Sequence, residues 1–520
     1  MKKTFFQLLV ALLSALFIGL LWEPFDQSGG VWFSLVPLLL LIRSVSVPRA
    51  AVYGFVTGFV SWVIQLFWML KLTDNDGPWI LVLPALLGLS AVLASFISAF
   101  AALAAAFRRR WSSSSPSVAR VALVLLVEPV LWAGLESLRG TVFTGFAWNP
   151  LGLVCTHYLP LAQLASVGGV VLVSAVLVAA NGAVASIFER CWWAVTHRTF
   201  VERRERFLLS MESALPFLVL IVAFYWGMSR FQKYAATPTE RMATFVVERT
   251  EVPCIFSAQA SLPIWERSTP DIVSFFKADA WIWPESALAG SPMPSDAQSL
   301  QRLRELSKRG DAPLIVGGSY ETLDGWYNAA MLITESGLDT LQVYGKRHLV
   351  PFGEYIPFDK TFPWLQRFAP TGVSCLPGEA VTTITLPSGI VIGPLICFED
   401  TVADVARESV RNGARVLVNM SNDAWYTPSP EAAQHARQAV MRCIETGVPM
   451  VRSTNGGLNT VINAIGIAEE IDRMPTRVRL TKAPFASLYL QFGEIFGATC
   501  ALFVLVCCVA LFLPLPRIQQ

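Results

Sequence analysis

Charge is what this chain has least of: 15% of its residues are Asp, Glu, Lys or Arg, and they nearly cancel to a net +2. The basic residues cluster in short loops and form no stripe along one face, so a nucleic-acid partner is not expected. None of the nine cysteines forms a C-x-x-C pair of metal-binding spacing, and nothing in the pattern calls for a metal or cofactor. Repeats and low-complexity blocks are also missing, apart from a short serine run at 112–115.

What the chain has in excess is apolar surface. Hydrophobic residues make up 54% of its 520 positions, and the mean hydropathy is +0.51. That is too apolar for a soluble enzyme, yet the middle of the chain is too charged to lie in a membrane throughout. Two unlike parts are expected.

Apolar stretches of spanning length fall at 5–22, 31–42, 51–69, 79–107, 118–135, 168–188, 214–228 and 496–514. A bilayer core needs about 20 apolar residues of helix, and two of these are short, so the expectation is about eight spans. Lys2 and Lys3 precede the first span, Arg43 and Arg49 follow the second, and Arg108, Arg109 and Arg110 follow the fourth. Arg190, Arg198, Arg203, Arg204 and Arg206 follow the sixth, and Arg517 follows the last. If all eight cross, every basic cluster falls on one side, which puts both termini in the cytoplasm and the long middle segment on the exported side. The first span, though it has a Lys-Lys start, is followed by no small-x-small cleavage site and is expected to be retained. The division expected is a membrane domain over 1–228, an exported domain over 229–485, and a last span with a short tail over 486–520.

Within the exported part, short strand-like runs alternate with amphipathic helices, the pattern of a layered α/β domain. Strands are expected at 243–247, 280–283, 314–317, 329–333, 390–396, 415–419, 450–453 and 460–463. One helix is marked by Ser295 as cap, Leu300, Leu303 and Leu306 on its apolar face, and Gly310 beyond its end. A second follows Asp400 and stops at Gly413, and a third runs from about 432 to Gly447.

Three apolar runs end in reactive groups. Cys397 closes Ile390-Val391-Ile392-Gly393-Pro394-Leu395-Ile396, Glu285 closes Trp281-Ile282-Trp283-Pro284, and Lys346 follows Tyr344-Gly345. A free thiol has a pKa of about 8.5, so it needs help to react near neutrality. A carboxylate such as Glu285 can take its proton, and an ammonium such as Lys346 can hold the oxyanion that forms on attack. Backbone N–H groups of Phe398 or Glu399, in the turn after the thiol, could complete that oxyanion site. Taken singly, each has a plainer reading: a buried core thiol, a solvated turn, a charged loop. Together they indicate acyl transfer through a Glu-Lys-Cys triad.

The segments Trp283-Pro284-Glu285-Ser286, Lys346 through Tyr355, Ile396-Cys397-Phe398-Glu399 and Ser421-Asn422-Asp423-Ala424-Trp425 resemble the nitrilase superfamily. With Glu136-Ser137-Leu138-Arg139, Gly145-Phe146-Ala147-Trp148 and Arg452-Ser453-Thr454-Asn455-Gly456, they look more narrowly like the bacterial apolipoprotein N-acyltransferase family. The resemblance runs in order along nearly the whole chain. It implies a four-layer αββα sandwich on an eight-helix base in the bacterial inner membrane, with the catalytic domain on the periplasmic side. Carried over, Glu285 is the general base, Lys346 the oxyanion stabiliser, Cys397 the nucleophile and Glu354 a supporting glutamate. The implied donor is a glycerophospholipid, usually phosphatidylethanolamine. The implied acceptor is the α-amine of a diacylglyceryl-cysteine at an apolipoprotein N-terminus, and the enzyme is expected to be a monomer.

The chain departs from that pattern in two places. Phe398 stands where relatives commonly carry Tyr, so packing replaces a hydroxyl there. Val246-Val247-Glu248-Arg249-Thr250 replaces the usual first-strand sequence, which leaves the start of the domain open. Glu399 reads equally as a site carboxylate or as a first-turn acid favoured by a helix N-terminus. Asn328 and His435 are expected to be structural. Trp79, Trp148 and Trp425 suit a membrane interface or acyl groove, and equally a belt or core position. A Cys254–Cys375 disulfide would be allowed in an oxidising compartment. The rival functions are a membrane-anchored amidase that lets water resolve the thioester, and a non-enzymatic receptor or transporter. Transport would favour ionisable groups deep in several spans, and only Glu128 and Glu136 are candidates.

Overall fold

The computed structural model of the chain describes residues 2–75, 77–111, 116–197, 203–248, 262–288, 292–359, 361–368, 374–471 and 475–512. Cys254, Arg249 and Thr250 lie outside these, and so does the Cys254–Cys375 pairing that the sequence allows. The chain divides into two units, Met1–Phe231 with Phe492–Gln520, and Gln232–Gln491.

The first unit is helical: α1 (Lys2–Gly19), α2 (Val36–Ser44), α3 (Val47–Leu66), α4 (Trp79–Trp111), α5 (Pro116–Ala122), α6 (Glu128–Thr141), α7 (Leu159–Ala162), α8 (Ala165–His197) and α9 (Arg203–Ala236). Among the described residues, six helical stretches are long and apolar enough to cross a membrane, and two shorter apolar ones lie at Ser28–Ser44 and Ile495–Ala510. Together they match the roughly eight spans expected. Because lipid offers no hydrophobic drive between helices, close backbone approach has to hold them. Gly54 and Gly58 supply it on α3: a Cβ on either would lie 2.6 Å from Ala101 Cβ or 2.8 Å from Ala94 Cα of α4. Trp148, expected at an interface, groove or core, is buried against Trp68 and Phe146, whereas Trp79 is exposed.

The second unit contains β1 (Arg241–Val247), α10 (Leu262–Phe275), β2 (Ala280–Ile282), α11 (Ala297–Gly310), β3 (Leu314–Thr322), β4 (Gly325–Thr334), β5 (Gly337–Gly345), β6 (Ile384–Thr385), β7 (Val391–Ile396), α12 (Ala403–Arg411), β8 (Val416–Asn422), α13 (Glu431–Thr446), β9 (Met450–Asn455), β10 (Thr460–Ile462), β11 (Ala468–Glu470), β12 (Thr476–Leu480) and α14 (Leu488–Phe492). The chain then ends in α15 (Ile495–Phe512), which belongs to the helical unit and meets α6 at Gly134, where a Cβ would lie 2.4 Å from the Cys500 carbonyl oxygen.

The strands form two six-stranded sheets, ordered β12-β1-β2-β3-β4-β5 and β11-β10-β9-β8-β7-β6. In each, three central strands run parallel, with registers such as Val246↔Trp281, Trp281↔Leu314, Ile396↔Met420 and Ser421↔Thr454. Parallel strands covered on both faces read as unbroken apolar runs, which is why β7, β8 and β9 were visible in the sequence. Helices α10 and α11 cover the first sheet through a core that includes Val273, Leu303, Trp281, Trp283 and Met331; α12 and α13 pack on the second. This is the expected αββα sandwich.

The structure moves several expected boundaries. The α11 cap is Asp296, whose Oδ1 accepts the Ser299 N–H at 3.0 Å, while Ser295 turns its hydroxyl to Glu321. Gly310 is the last helical residue and Asp311 takes the left-handed position after it, φ 49°, a conformation Asp tolerates better than most residues. The β3 and β4 strands are about twice the expected length, forming one hairpin from Leu314 to Thr334. Strands β5, β6, β11 and β12 were not expected at all. The departing segment Val246-Val247-Glu248 nonetheless makes a regular start: β1 pairs with both β12 and β2, and Glu248 accepts the Trp281 indole N–H at 2.8 Å.

Candidate active site

Three loops at the carboxyl ends of strands carry the reactive groups. After β2 the chain turns through Trp283-Pro284 into Glu285, and β3 packs directly on that turn. A Cβ on Gly317 would lie 2.6 Å from the Pro284 carbonyl oxygen and 2.7 Å from Glu285 Cα, so only glycine leaves room there. Lys346 follows β5 at once, its own N–H donating to the Asn328 carbonyl at 2.7 Å. Cys397 follows β7 at the start of a short 3-10 turn, Cys397–Thr401, and adopts φ 53°. A non-glycine residue in that left-handed region costs on the order of 1–3 kcal/mol, a cost borne where the surroundings fix it.

The side chains around Lys346 form one closed set. Its Nζ lies 2.8 Å from Glu354 Oε2 and 3.6 Å from Glu285 Oε1. The Asn328 amide nitrogen donates to Glu285 Oε1 at 2.6 Å and to Glu354 Oε1 at 2.7 Å. Asn328, expected to be structural, therefore bridges both glutamates. Glu354 Oε2 also accepts the Val350 N–H at 2.8 Å, which closes the loop back on itself. Lys346 is 1% exposed and Glu285 6%, so these charges interact with little solvent between them.

That burial sets the proton positions. Burial raises the Glu285 carboxyl above its ordinary range; Lys346 pulls it down and Glu354 pushes it up. Burial opposes the charged form of Lys346, but Glu354 and Glu285 outweigh it and hold the ammonium firmly protonated. Burial, then the Glu285 charge, pushes the Cys397 thiol well above its ordinary value despite Lys346. At rest Cys397 therefore holds a neutral thiol, and Glu285 is a carboxyl group of raised basicity.

Glu399, left open between two readings, sits in the first turn after Cys397 and accepts the N–H of the residue that caps that turn, Ile396. It is fully buried and accepts the N–H groups of Ile396 at 2.8 Å, Arg347 at 2.8 Å and His348 at 3.1 Å, and the Tyr344 hydroxyl at 2.9 Å. It thereby ties the lysine loop of the first sheet to the cysteine turn of the second. Phe398 stacks on the His348 ring with centroids 5.8 Å apart, the packing expected in place of a hydroxyl.

Behind Cys397 lies a second buried cluster. His435 Nδ1 is 3.0 Å from Asp423 Oδ1 and 3.6 Å from Glu431 Oε1; its Nε2 is 3.0 Å from Asp400 Oδ1 and 3.3 Å from the Cys397 carbonyl oxygen. Arg452 lies 3.5 Å from Asp400. Ligand atoms of Asp423, Glu431 and His435 fall within 4.8 Å of one another, the one such group found among the described residues. The hydrogen-bond distances and the adjacent guanidinium suit a proton-bridged imidazole better than a cation. None of these residues was given a chemical role from sequence; an acidic residue or histidine inside an apolar helix or strand end was the available signal.

Comparison with known proteins puts names to this architecture. A profile for carbon-nitrogen hydrolases matches residues 253–472, the stretch holding Glu285, Lys346 and Cys397. A second profile, for the apolipoprotein N-acyltransferase N-terminal domain, matches residues 14–183 in the helical unit. The class is thus a carbon-nitrogen hydrolase joined to a polytopic helical domain. An apolipoprotein N-acyltransferase from Sinorhizobium fredii is 30% identical over 82% of this chain and 77% of its own length. Another from Geobacter metallireducens is 28% identical over 95% of this chain and 92% of its own. The chain belongs to the apolipoprotein N-acyltransferase family. Among solved structures, a CN-hydrolase superfamily protein from Xanthomonas campestris aligns with a TM-score of 0.36 at 15% identity, over 48% of this chain and 95% of its own.

Proposed function

We propose that this enzyme moves an acyl chain from a glycerophospholipid to the α-amine of a diacylglyceryl-cysteine at an apolipoprotein N-terminus, through a thioester on Cys397. The observation that carries the assignment of roles is the closed set Glu285, Asn328, Glu354 and Lys346 acting on the Cys397 thiol. In the first half, the thiol sulfur attacks the ester carbonyl while Glu285 takes its proton. Lys346 holds the oxyanion of the tetrahedral intermediate. Collapse breaks the ester C–O bond, and Glu285 returns the proton to the departing lysophospholipid oxygen. In the second half, the acceptor amine attacks the thioester, Glu285 takes a proton from it, and collapse forms the amide and restores the thiol. A covalent intermediate of this kind gives ping-pong kinetics.

Phosphatidylethanolamine is the proposed donor, and a monomer the proposed working unit. The positions of the arginine clusters support an inner-membrane protein with both termini in the cytoplasm and the hydrolase-like unit, proposed as residues 229–485, on the periplasmic side. Both substrates are lipids, which suits a catalytic unit tethered to a membrane domain. Incubation with phosphatidylethanolamine and a diacylated lipopeptide tests the reading: lysophospholipid and N-acylated peptide are expected in equal amounts. Lysophospholipid with free fatty acid and no acylated peptide would make the protein a hydrolase instead.

A further inference from the structure

The strained turn at Cys397 needs something to hold it, and its carbonyl oxygen shows what does. That oxygen accepts the Asn419 amide N–H at 3.0 Å and lies 3.3 Å from His435 Nε2. Asn419 is itself oriented, because Arg452 Nε donates to its Oδ1 at 3.4 Å and leaves the amide nitrogen to face Cys397. Asp400 touches both His435 and Arg452. Two chains of polar contacts therefore start from Asp400 and finish on one carbonyl.

The ring of His435 lies between acceptors. Asp423 and Glu431 face Nδ1, while Asp400 and the Cys397 carbonyl face Nε2. A neutral imidazole would turn a lone pair toward either the Asp423 carboxylate or the Cys397 carbonyl oxygen, and both of these only accept, so both nitrogens carry protons. Charge also balances this way: the Asp400 and Asp423 carboxylates offset the imidazolium and the Arg452 guanidinium, with Glu431 holding its proton. The groups facing the ring come from the turn after β7, the turn after β8, α13 and β9. Burial opposes a charged His435, but Asp400 and Asp423 prevail and raise it well above its ordinary range. Burial and Asp423 likewise keep Glu431 protonated.

We infer that His435 is a doubly protonated positioning residue that, with Asn419, clamps the Cys397 carbonyl and so fixes the direction of the nucleophile and the plane of the peptide that follows it. The second effect follows from the planar trans peptide, in which the Cys397 C=O and the Phe398 N–H point in opposite directions. Holding one therefore also fixes the direction of the other. The clamp acts on the backbone of Cys397, and no proton-transfer step is assigned to it. This inference rests on Cys397 being the nucleophile.

The test uses the full-length protein in phospholipid-containing micelles. Single-turnover acylation of Cys397 by phosphatidylethanolamine is followed by mass spectrometry in the wild type and in His435→Gln, which keeps a donor but cannot satisfy both sides. A misaligned reacting group costs roughly 10- to 100-fold, so the acylation rate should fall by that factor while the phospholipid KM stays within about threefold. Unchanged acylation in a folded His435→Gln protein would overturn the inference, as would a loss confined to KM. With four histidines in the chain, nitrogen-15 labelling of histidine in the wild type gives an independent arm that needs no variant. Two protonated ring nitrogens on His435 from pH 6 to pH 9 are expected, and a neutral tautomer within that window would overturn the inference even if His435→Gln failed to fold. Failure of the wild type to form any Cys397 adduct would defeat the functional reading itself, an outcome distinct from either.

Discussion

Two buried ionic clusters lie close to Cys397, and they are built for different purposes. On the side of the first sheet, the Glu285 and Glu354 carboxyl groups face the single ammonium of Lys346. On the side of the second sheet, Asp400, Asp423, His435 and Arg452 balance, and Glu431 stays neutral. The first cluster is strung on a flexible lysine and on loops; the second uses planar groups anchored in α13, β9 and the turns after β7 and β8. Buried charge that must move a proton is left unbalanced, and buried charge that must hold geometry is neutralised. Glu399 crosses between the two sheets and keeps the clusters in register.

Removing the unbalanced cation should have the largest effect. Lys346→Ala takes away the proposed oxyanion partner and leaves Glu285 and Glu354 facing each other, and the acylation rate should fall by at least about 10²–10³-fold. Gly317→Ala comes next. Its methyl would press on the Pro284 carbonyl and Glu285 Cα, and displacement of the base by about 1 Å is expected to lower acylation roughly 10²-fold with the protein still folded.

Asn328→Ala sharpens the comparison through pH. Glu285 must be ionised to act as base, so activity rises with pH through its raised pKa, and the acid limb of the acylation rate should lie above the ordinary glutamate value of about 4.3. The Asn328 N–H lowers that pKa by donating to the carboxylate, so its loss should move the limb further upward and reduce the rate about tenfold at the original pH. A limb that moved downward would contradict the proton assignment. The smallest effect is expected at an ion pair outside both clusters: Arg309→Ala breaks an exposed contact to Asp271 and should change stability by less than about 1 kcal/mol in thermal melts, with acylation unaltered.

The two clusters also differ in how far the sequence reveals them. Glu285 and Cys397 each end an apolar run, so the strand pattern itself points to them; Lys346 was marked only by the short Tyr344-Gly345 stretch before it. The αββα layering follows from strands alternating with amphipathic helices. Asn328 lies within an apolar strand, where its amide looks like a satisfied core polar group until Glu285 and Glu354, from separate loops, close around it. His435, Asp423 and Arg452 are separated by up to 29 residues and share no spacing, because they meet only when β8, α13 and β9 pack. The strands that escaped notice have physical reasons too. Strand β5 is half exposed and reads Gly-Leu-Asp-Thr-Leu-Gln-Val-Tyr-Gly, and β12 is an edge strand whose partner β1 lies more than 200 residues earlier. Edges need fewer apolar residues, so alternation there is weak.

The central claim is that Cys397 carries the acyl group, and intact-protein mass spectrometry tests it most directly. Purified full-length protein incubated with phosphatidylethanolamine should gain one acyl mass, localised to Cys397 by proteolysis, and lose it on addition of a diacylated lipopeptide as the N-acylated product appears. Glu285→Ala and Lys346→Ala should accumulate far less adduct over the same time. A Cys397→Ala protein that transferred acyl chains at the wild-type rate would contradict the account.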